Sequence, residues 1–300
     1  MSKSRIGIPF LSTALLGTSF VVSGIVKLFS IVNFELYVYS FGFASFDLCS
    51  IGARMLIAYE ILLGLWLISH MTPKLARITT AITLAVFSLF LAWRASVGDT
   101  ESCHCLGDLV DMSPAESLLK NAGLFALLLL SRHDMLSMRW KWWLAAATAA
   151  VIVTMPFFVK PPDIFFRLSG DELHTVADDI AEELPQEGRK IICLYSTECK
   201  YCQRSARKIS GILTANSIEP SSAEVLFMNL NGLDSLSIGQ FYSEYGDGIT
   251  IPYRIIGTER FLSLTNGEMP IILLSEGGRV VKEYDYLTLD ERFITDFLKQ

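Results

Sequence analysis

Charged residues make up only 19% of this 300-residue sequence, against 51% hydrophobic residues. With a mean hydropathy of +0.42, that shortage excludes a wholly soluble chain of ordinary composition. Basic residues are scarce in the less apolar half: after Pro161 there are 13 Lys plus Arg against 22 Asp plus Glu. A phosphate backbone needs clustered cations, so a nucleic-acid partner is excluded. Cysteine is sparse too. Six in 300 residues do not make a disulfide-stapled miniature scaffold, and a chain of this length can build a core without one. Their placement says more than their number.

The apolar residues concentrate in 6–160, whereas 161–300 has the composition of an ordinary soluble domain. A helix that crosses the hydrocarbon core needs about 20 mostly apolar residues. Five segments are expected to do so: 6–32, 49–70, 76–96, 115–131 and 142–160. The fourth starts with Glu116 and Lys120, whose charged ends can reach water at the interface. Lys3 and Arg5 before an apolar run resemble a secretory signal, but the run is longer than a signal core and lacks a small-residue cleavage site, so a retained first span is expected.

Loop charges predict orientation. Lys3, Arg5, Lys74, Arg77, Arg132, Arg139 and Lys141 fall on one side, with only Asp134 opposing them. Glu35, Asp47, Asp99, Glu101, Asp108, Asp111 and Glu116 fall on the other, with no basic residue. Cytoplasmic loops are the Lys/Arg-rich ones, so the N-terminus is expected inside a bacterial inner membrane. Five spans then leave the C-terminal domain outside, in the periplasm, with Trp140, Trp142 and Trp143 as an aromatic belt at the inner edge. The expected domains are 1–135, a four-helix membrane domain; 136–162, a fifth span and linker beginning at Pro161 and Pro162; and 163–300, extracytoplasmic.

The last of these has an α/β rhythm. Asp171 to Leu184 reads as an amphipathic helix, and Lys190-Ile-Ile-Cys-Leu-Tyr195 as a buried strand. Directly after it, Cys199-Lys-Tyr-Cys202 opens a helical stretch to about Thr214. A helix N-terminus presents unpaired N–H groups and partial positive charge, which favour a thiolate on the first cysteine. The second, one turn on, can resolve a mixed disulfide. The other use of such a spacing is half of a zinc site. The domain has no second half, because Cys193 lies on the strand and His174 far upstream, so no metal is expected and Cys193 reads as core. Strands come next at Val225–Leu230, Ile271–Leu274 and Arg279–Glu283, and a closing helix at 289–298. In this order of elements 189–299 resembles the thioredoxin family. The resemblance implies that Pro270 is a cis-proline opposite the cysteine pair and that it binds substrate backbone together with Met269. Residues 231–268, with Tyr242, Tyr245, Tyr253 and Phe261, exceed the family's usual connection and read as a substrate surface or an elaborated edge.

The membrane half has its own chemistry. Ser102-Cys-His-Cys-Leu-Gly107 places Cys103 and Cys105 two apart in an outer loop, where they can close a strained, easily reduced disulfide, act as a structural clip, or hold a metal with His104. Cys49 is either a third partner or inert. Lys27, Arg54 and Glu60 lie within apolar helices, so they are expected to face the bundle interior, as a packing ion pair or as a quinone or proton site. Gly24 with Lys27, Glu60 with Gly64, and Cys103 with Cys105 to Gly107 together resemble the DoxX-like superfamily, most closely its methylamine-utilisation branch, MauE, over about 6–135. That resemblance implies a four-helix membrane bundle concerned with disulfide formation in an exported partner. It also implies a likeness in architecture to quinone-reducing disulfide oxidases, although this sequence has no second loop pair.

The expected fold is therefore an all-α transmembrane bundle followed by an α/β thioredoxin-like domain. The expected function is a thiol–disulfide oxidoreductase acting on exported cysteine-containing proteins, in which Cys199 and Cys202 exchange electrons with Cys103 and Cys105, and these with a membrane quinone; no covalently bound cofactor is expected. Two other readings stand beside it: a quinol-linked supplier of reductant, and a non-redox anchor or assembly subunit. Direction is open, since Lys200 favours the Cys199 thiolate and Glu198 opposes it.

Overall fold

The computed structural model describes residues 7–97, 112–131, 142–169, 176–230 and 232–300. They form two compact units: residues 1–37 with 51–161, and residues 38–50 with 162–300. The second unit is therefore discontinuous in sequence, taking in a segment from the membrane half.

The first unit is helical: α1 (Gly7–Phe29), α2 (Ile31–Tyr39, shared between the units), α3 (Phe46–Ser69, likewise shared), α4 (Pro73–Ser96), α5 (Pro114–Leu130) and α6 (Trp142–Val159). Among the described residues, three of the five expected spans have helices long and apolar enough to cross a membrane: Pro9–Phe29, Phe46–Ser69 and Pro73–Ser96. Helix α5 has 17 residues, and the part of α6 whose side chains are described, Ala145–Val159, is likewise shorter. Ser113 caps α5: its hydroxyl accepts from the Glu116 N–H while the Glu116 carboxylate accepts from the Ser113 N–H, a reciprocal box that fixes the helix start. Glu116 thus has a capping role in addition to its place in the loop charge.

Glycine sets the closest helix contact. A Cβ on Gly17 would stand 2.7 Å from the Gly64 carbonyl oxygen, and one on Gly64 would stand 2.5 Å from that of Gly17. Helices α1 and α3 therefore touch backbone to backbone, as small residues allow in lipid-embedded bundles. Leu16, Phe20, Leu63, Leu67, Leu84 and Leu128 pack a core between α1, α3, α4 and α5.

The second unit is built on a five-stranded sheet. Its strands are β1 (Arg189–Tyr195), β2 (Ala223–Asn229), β3 (Tyr253–Gly257), β4 (Ile271–Glu276) and β5 (Arg279–Tyr284), in the order β3-β2-β1-β4-β5. β1 pairs parallel with β2 and antiparallel with β4; β2 pairs parallel with β3, and β4 antiparallel with β5. Side chains alternate across a strand. Ile192, Leu194, Leu226, Met228, Ile271 and Leu273 pack one face, against Phe261 and Leu264 of α10 (Thr258–Thr265). The other face takes Tyr195, whose hydroxyl bonds Ser205 of α8 (Lys200–Ala215), and Phe227, which stacks edge-on with Phe241 of α9 (Ser235–Tyr245). Helix α11 (Glu291–Lys299) closes the fold.

Residues 231–268 are an elaborated edge: they supply α9, the outermost strand β3 and α10, with Tyr242 and Phe261 buried. Two expectations are corrected. Within Asp171–Leu184, residues 171–175 lie outside the described residues, and the remainder holds a short 3-10 helix, Asp178–Glu182, rather than a continuous amphipathic helix. Its carboxylates are drawn sideways: Arg260 pairs with Asp179, with Glu182 at 3.1 Å and with Glu183 at 3.4 Å, and Arg254 pairs with Glu183 at 3.1 Å. The second correction concerns the linker after Pro162, which is helical: α7 spans Asp163–Ser169.

Candidate active site

Strand β1 runs straight into the cysteine motif. Cys199 is the N-cap of α8, in an extended conformation, and the Cys202 N–H donates to its Sγ at 3.2 Å. The sulfur thus takes the place of an ordinary capping oxygen over the unsatisfied N–H groups of the first turn. Hydrogen bonding from the Cys202 thiol, aided by the N–H groups of Cys202 and Tyr201, pulls the Cys199 thiol down to about 6, against the opposing effect of burial. At neutral pH Cys199 is largely a thiolate and half-buried at the surface. Cys202 is buried, and burial, with the Cys199 sulfur beside it, raises its thiol well above the ordinary value. One sulfur is poised to attack or to leave; the other is held in reserve as a thiol.

Several contacts fix this turn. The Cys199 N–H donates to the Ser196 carbonyl at 3.2 Å, and Gln203 Nε2 donates to the Thr197 carbonyl at 2.9 Å. Beneath them the fully buried Tyr195 hydroxyl meets Ser205 Oγ at 2.8 Å, tying the end of β1 to α8. Neither Gln203 nor Tyr195 is conspicuous in the sequence, although Tyr195 shares the sheet face of Cys193 by simple alternation. Cys193 is fully buried, and burial pushes its thiol up to about 12, which makes it inert at neutral pH.

The Met269–Pro270 peptide is cis. The pairing of Leu194 with Ile271 sets Pro270 at the end of β1 that leads into Cys199. Met269 is partly buried and packs against the sheet core.

In the first unit, Lys27 Nζ donates to both Glu60 oxygens, at 2.6 and 2.7 Å, and Ser23 Oγ donates to Glu60 at 3.1 Å; both ions are almost completely buried. Arg54 does not join them. Its Nε pairs with Glu35 at 2.8 Å, and its Nη1 donates to the Pro156 and Lys160 carbonyls, the C-terminal end of α6. A cation there neutralises the negative end of the helix dipole. Glu35, assigned to an outer loop from sequence, is instead a buried residue of α2. Cys103, His104 and Cys105 lie outside the described residues. Among the described residues no cluster of three or more His, Cys, Asp or Glu could hold a metal. Cys49 is buried, its thiol directed to the Ala44 carbonyl at 3.6 Å.

Sequence reasoning missed one further buried pair. Lys208 of α8 is fully buried, donates to Asp163 Oδ2 at 2.7 Å and lies 4.2 Å from the centre of the Phe46 ring. The signal was its spacing: position 208 is three past Ser205 and four before Ile212, on the inward face of α8.

Residues 7–133 match the family described as methylamine utilisation protein MauE. A curated protein named TlpB, from Flavobacterium psychrophilum, is 24% identical, the match covering 95% of this chain and 93% of the relative. No solved structure matches at a significant level. Residues 7–133 are thus similar to the MauE family, and the Cys199–Cys202 dithiol lies in the thioredoxin-like α/β domain beyond them.

Proposed function

We propose that this protein is an oxidoreductase of the bacterial inner membrane that forms disulfides in exported proteins. With Cys199–Cys202 oxidised, a substrate thiolate attacks Cys199 Sγ, and Cys202 leaves and is protonated. A second substrate thiolate then displaces Cys199 as a thiolate, so the substrate gains a disulfide and the site gains two electrons. Cys103 and Cys105, oxidised, take those electrons and return Cys199–Cys202 to the disulfide. The observation behind this direction is the Cys199 thiol at about 6. Stabilising the thiolate stabilises the reduced couple, which makes its disulfide the better oxidant and Cys199 the better leaving group. Fusion in one chain keeps both cysteine pairs at high effective concentration.

A membrane quinone is the final acceptor that the MauE resemblance implies. The residues expected to serve it do not fit that role: Lys27 and Glu60 are engaged with each other and with Ser23, and Arg54 with Glu35 and the end of α6. The reading therefore rests on thiol chemistry alone. Acid quenching of growing cells, with subsequent alkylation by a thiol-reactive mass tag, tests it. Cys199–Cys202 is expected mostly oxidised in wild-type cells and mostly reduced after Cys103→Ser with Cys105→Ser. A pair that is mostly reduced in wild type points to the supply of reductant. No response to the loop substitutions leaves residues 7–133 as an anchor.

A further inference from the structure

Helix α8 has four cations, Lys200, Arg204, Arg207 and Lys208, and no acidic residue, in a domain with 13 basic and 22 acidic residues after Pro161. Lys208 is turned inward to Asp163. Lys200, Arg204 and Arg207 succeed one another at i, i+4 and i+7, a single stripe that begins next to Cys199. Elsewhere in the domain Arg189, Arg254 and Arg260 are each paired with carboxylates. Among the described residues neither Lys200 nor Arg204 pairs with a carboxylate. The Arg204 guanidinium lies 5.8 Å from the centre of the Tyr201 ring, which is 57% exposed and rests against Tyr286 at 6.1 Å. Arg207 is partly engaged, donating to the Glu244 carbonyl at 2.8 Å with its guanidinium 5.5 Å from the Tyr245 ring. Glu198, on the loop before Cys199, is the nearest acidic residue in sequence.

A sulfur that reacts with Cys199 must come within about 3.5 Å of it. The residues flanking a substrate cysteine are then brought against Lys200, Tyr201 and Arg204, whose backbones lie within about one and a half helical turns of Cys199. Two cations not paired with a carboxylate and a propped aromatic ring at that point, in a domain of acidic composition, favour an anionic segment and orient it. Building on the redox reading above, we infer that Lys200, Tyr201 and Arg204 are specificity-determining residues that select polypeptides with an acidic residue beside the reacting cysteine. Tyr201 provides the apolar ledge on which the neighbouring side chain lies.

The test uses the full-length reduced protein in detergent and short peptides closed by one disulfide, with Asp, Ser or Lys flanking the cysteines. In the measured step the Cys199–Cys202 disulfide forms, the peptide disulfide breaks, and the peptide takes up two electrons and two protons. Hydroxyethyl disulfide, small and neutral, is the reference. The ratio of rate constants between peptides cancels any change in the reactivity of Cys199 itself. The Asp peptide is expected to react about fivefold faster than the Lys peptide, the gap closing at high ionic strength. Lys200→Glu with Arg204→Glu is expected to invert the order, and Lys200→Gln with Arg204→Gln to abolish it. Equal rates for all peptides with the wild type, or an unchanged order in both variants, overturn the inference while leaving the redox reading intact. A wild type that reduces neither the peptides nor hydroxyethyl disulfide overturns both.

Discussion

The two units bury ionisable groups to opposite ends. In the membrane unit, Lys27 meets Glu60 and Arg54 meets Glu35, each ion neutralised by its partner and by further hydrogen bonds. The α/β unit buries Lys208 with Asp163 in the same way, but the group that matters, Cys199, is left half-exposed. Cys199 sits over N–H groups that stabilise its anion. Burial of charge is thus a poor pointer to chemistry by itself. A satisfied pair holds helices together; an anion held by hydrogen-bond donors at a half-exposed helix start remains available to a substrate.

Substitutions can break that contrast in order of size. Cys199→Ser is expected to abolish disulfide exchange with any peptide, measured as thiol release, while the fold persists. Lys27→Met leaves the Glu60 carboxylate buried with its cation removed, and is expected to cost about 3–5 kcal/mol in detergent unfolding. Adding Glu60→Leu should recover most of that loss, because an apolar pair of similar volume replaces the ions. If the single and double variants unfold alike, the pair is not a structural unit. Cys202→Ala removes the leading hydrogen bond to the Cys199 sulfur, so the pH midpoint for alkylation of Cys199 should rise from about 6 towards the usual thiol range. The same depression has a stability consequence. A thiol lowered in the folded state stabilises the reduced protein fully above its unfolded value of about 8.5, and that gain is lost as pH falls through 6. The stability of the reduced form relative to the oxidised form should therefore increase between those limits. At the small end, Glu276→Gln breaks the half-exposed pair with Arg189 and should cost under about 1 kcal/mol.

The features legible in the sequence were local. The C-x-x-C between a β-branched strand and a helix, the proline before β4 and the apolar spans each depend on residues close together in the chain. The boundaries of β1 and α8 come within a residue or two of expectation. The features that escaped it depend on distant partners. The acidic stretch before Leu184 has helical spacing, yet Arg254 and Arg260, some 70 residues later, hold it as a 3-10 turn. Asp163 comes after two prolines and looks like linker until Lys208 is found beneath it. Glu35 reads as a loop charge because nothing near it announces Arg54.

The glycine contact between α1 and α3 has a consequence that reaches beyond packing. Gly17, Gly24 and Lys27 share one stripe of α1, and Glu60 and Gly64 one stripe of α3. Even a methyl group at position 17 or 64 would act as a wedge on that seam, standing 2.5–2.7 Å from the facing carbonyl oxygen and pressing on the helix pair that holds Lys27 against Glu60. A change that adds no more than a methyl group would then load the seam that carries two buried, opposite charges.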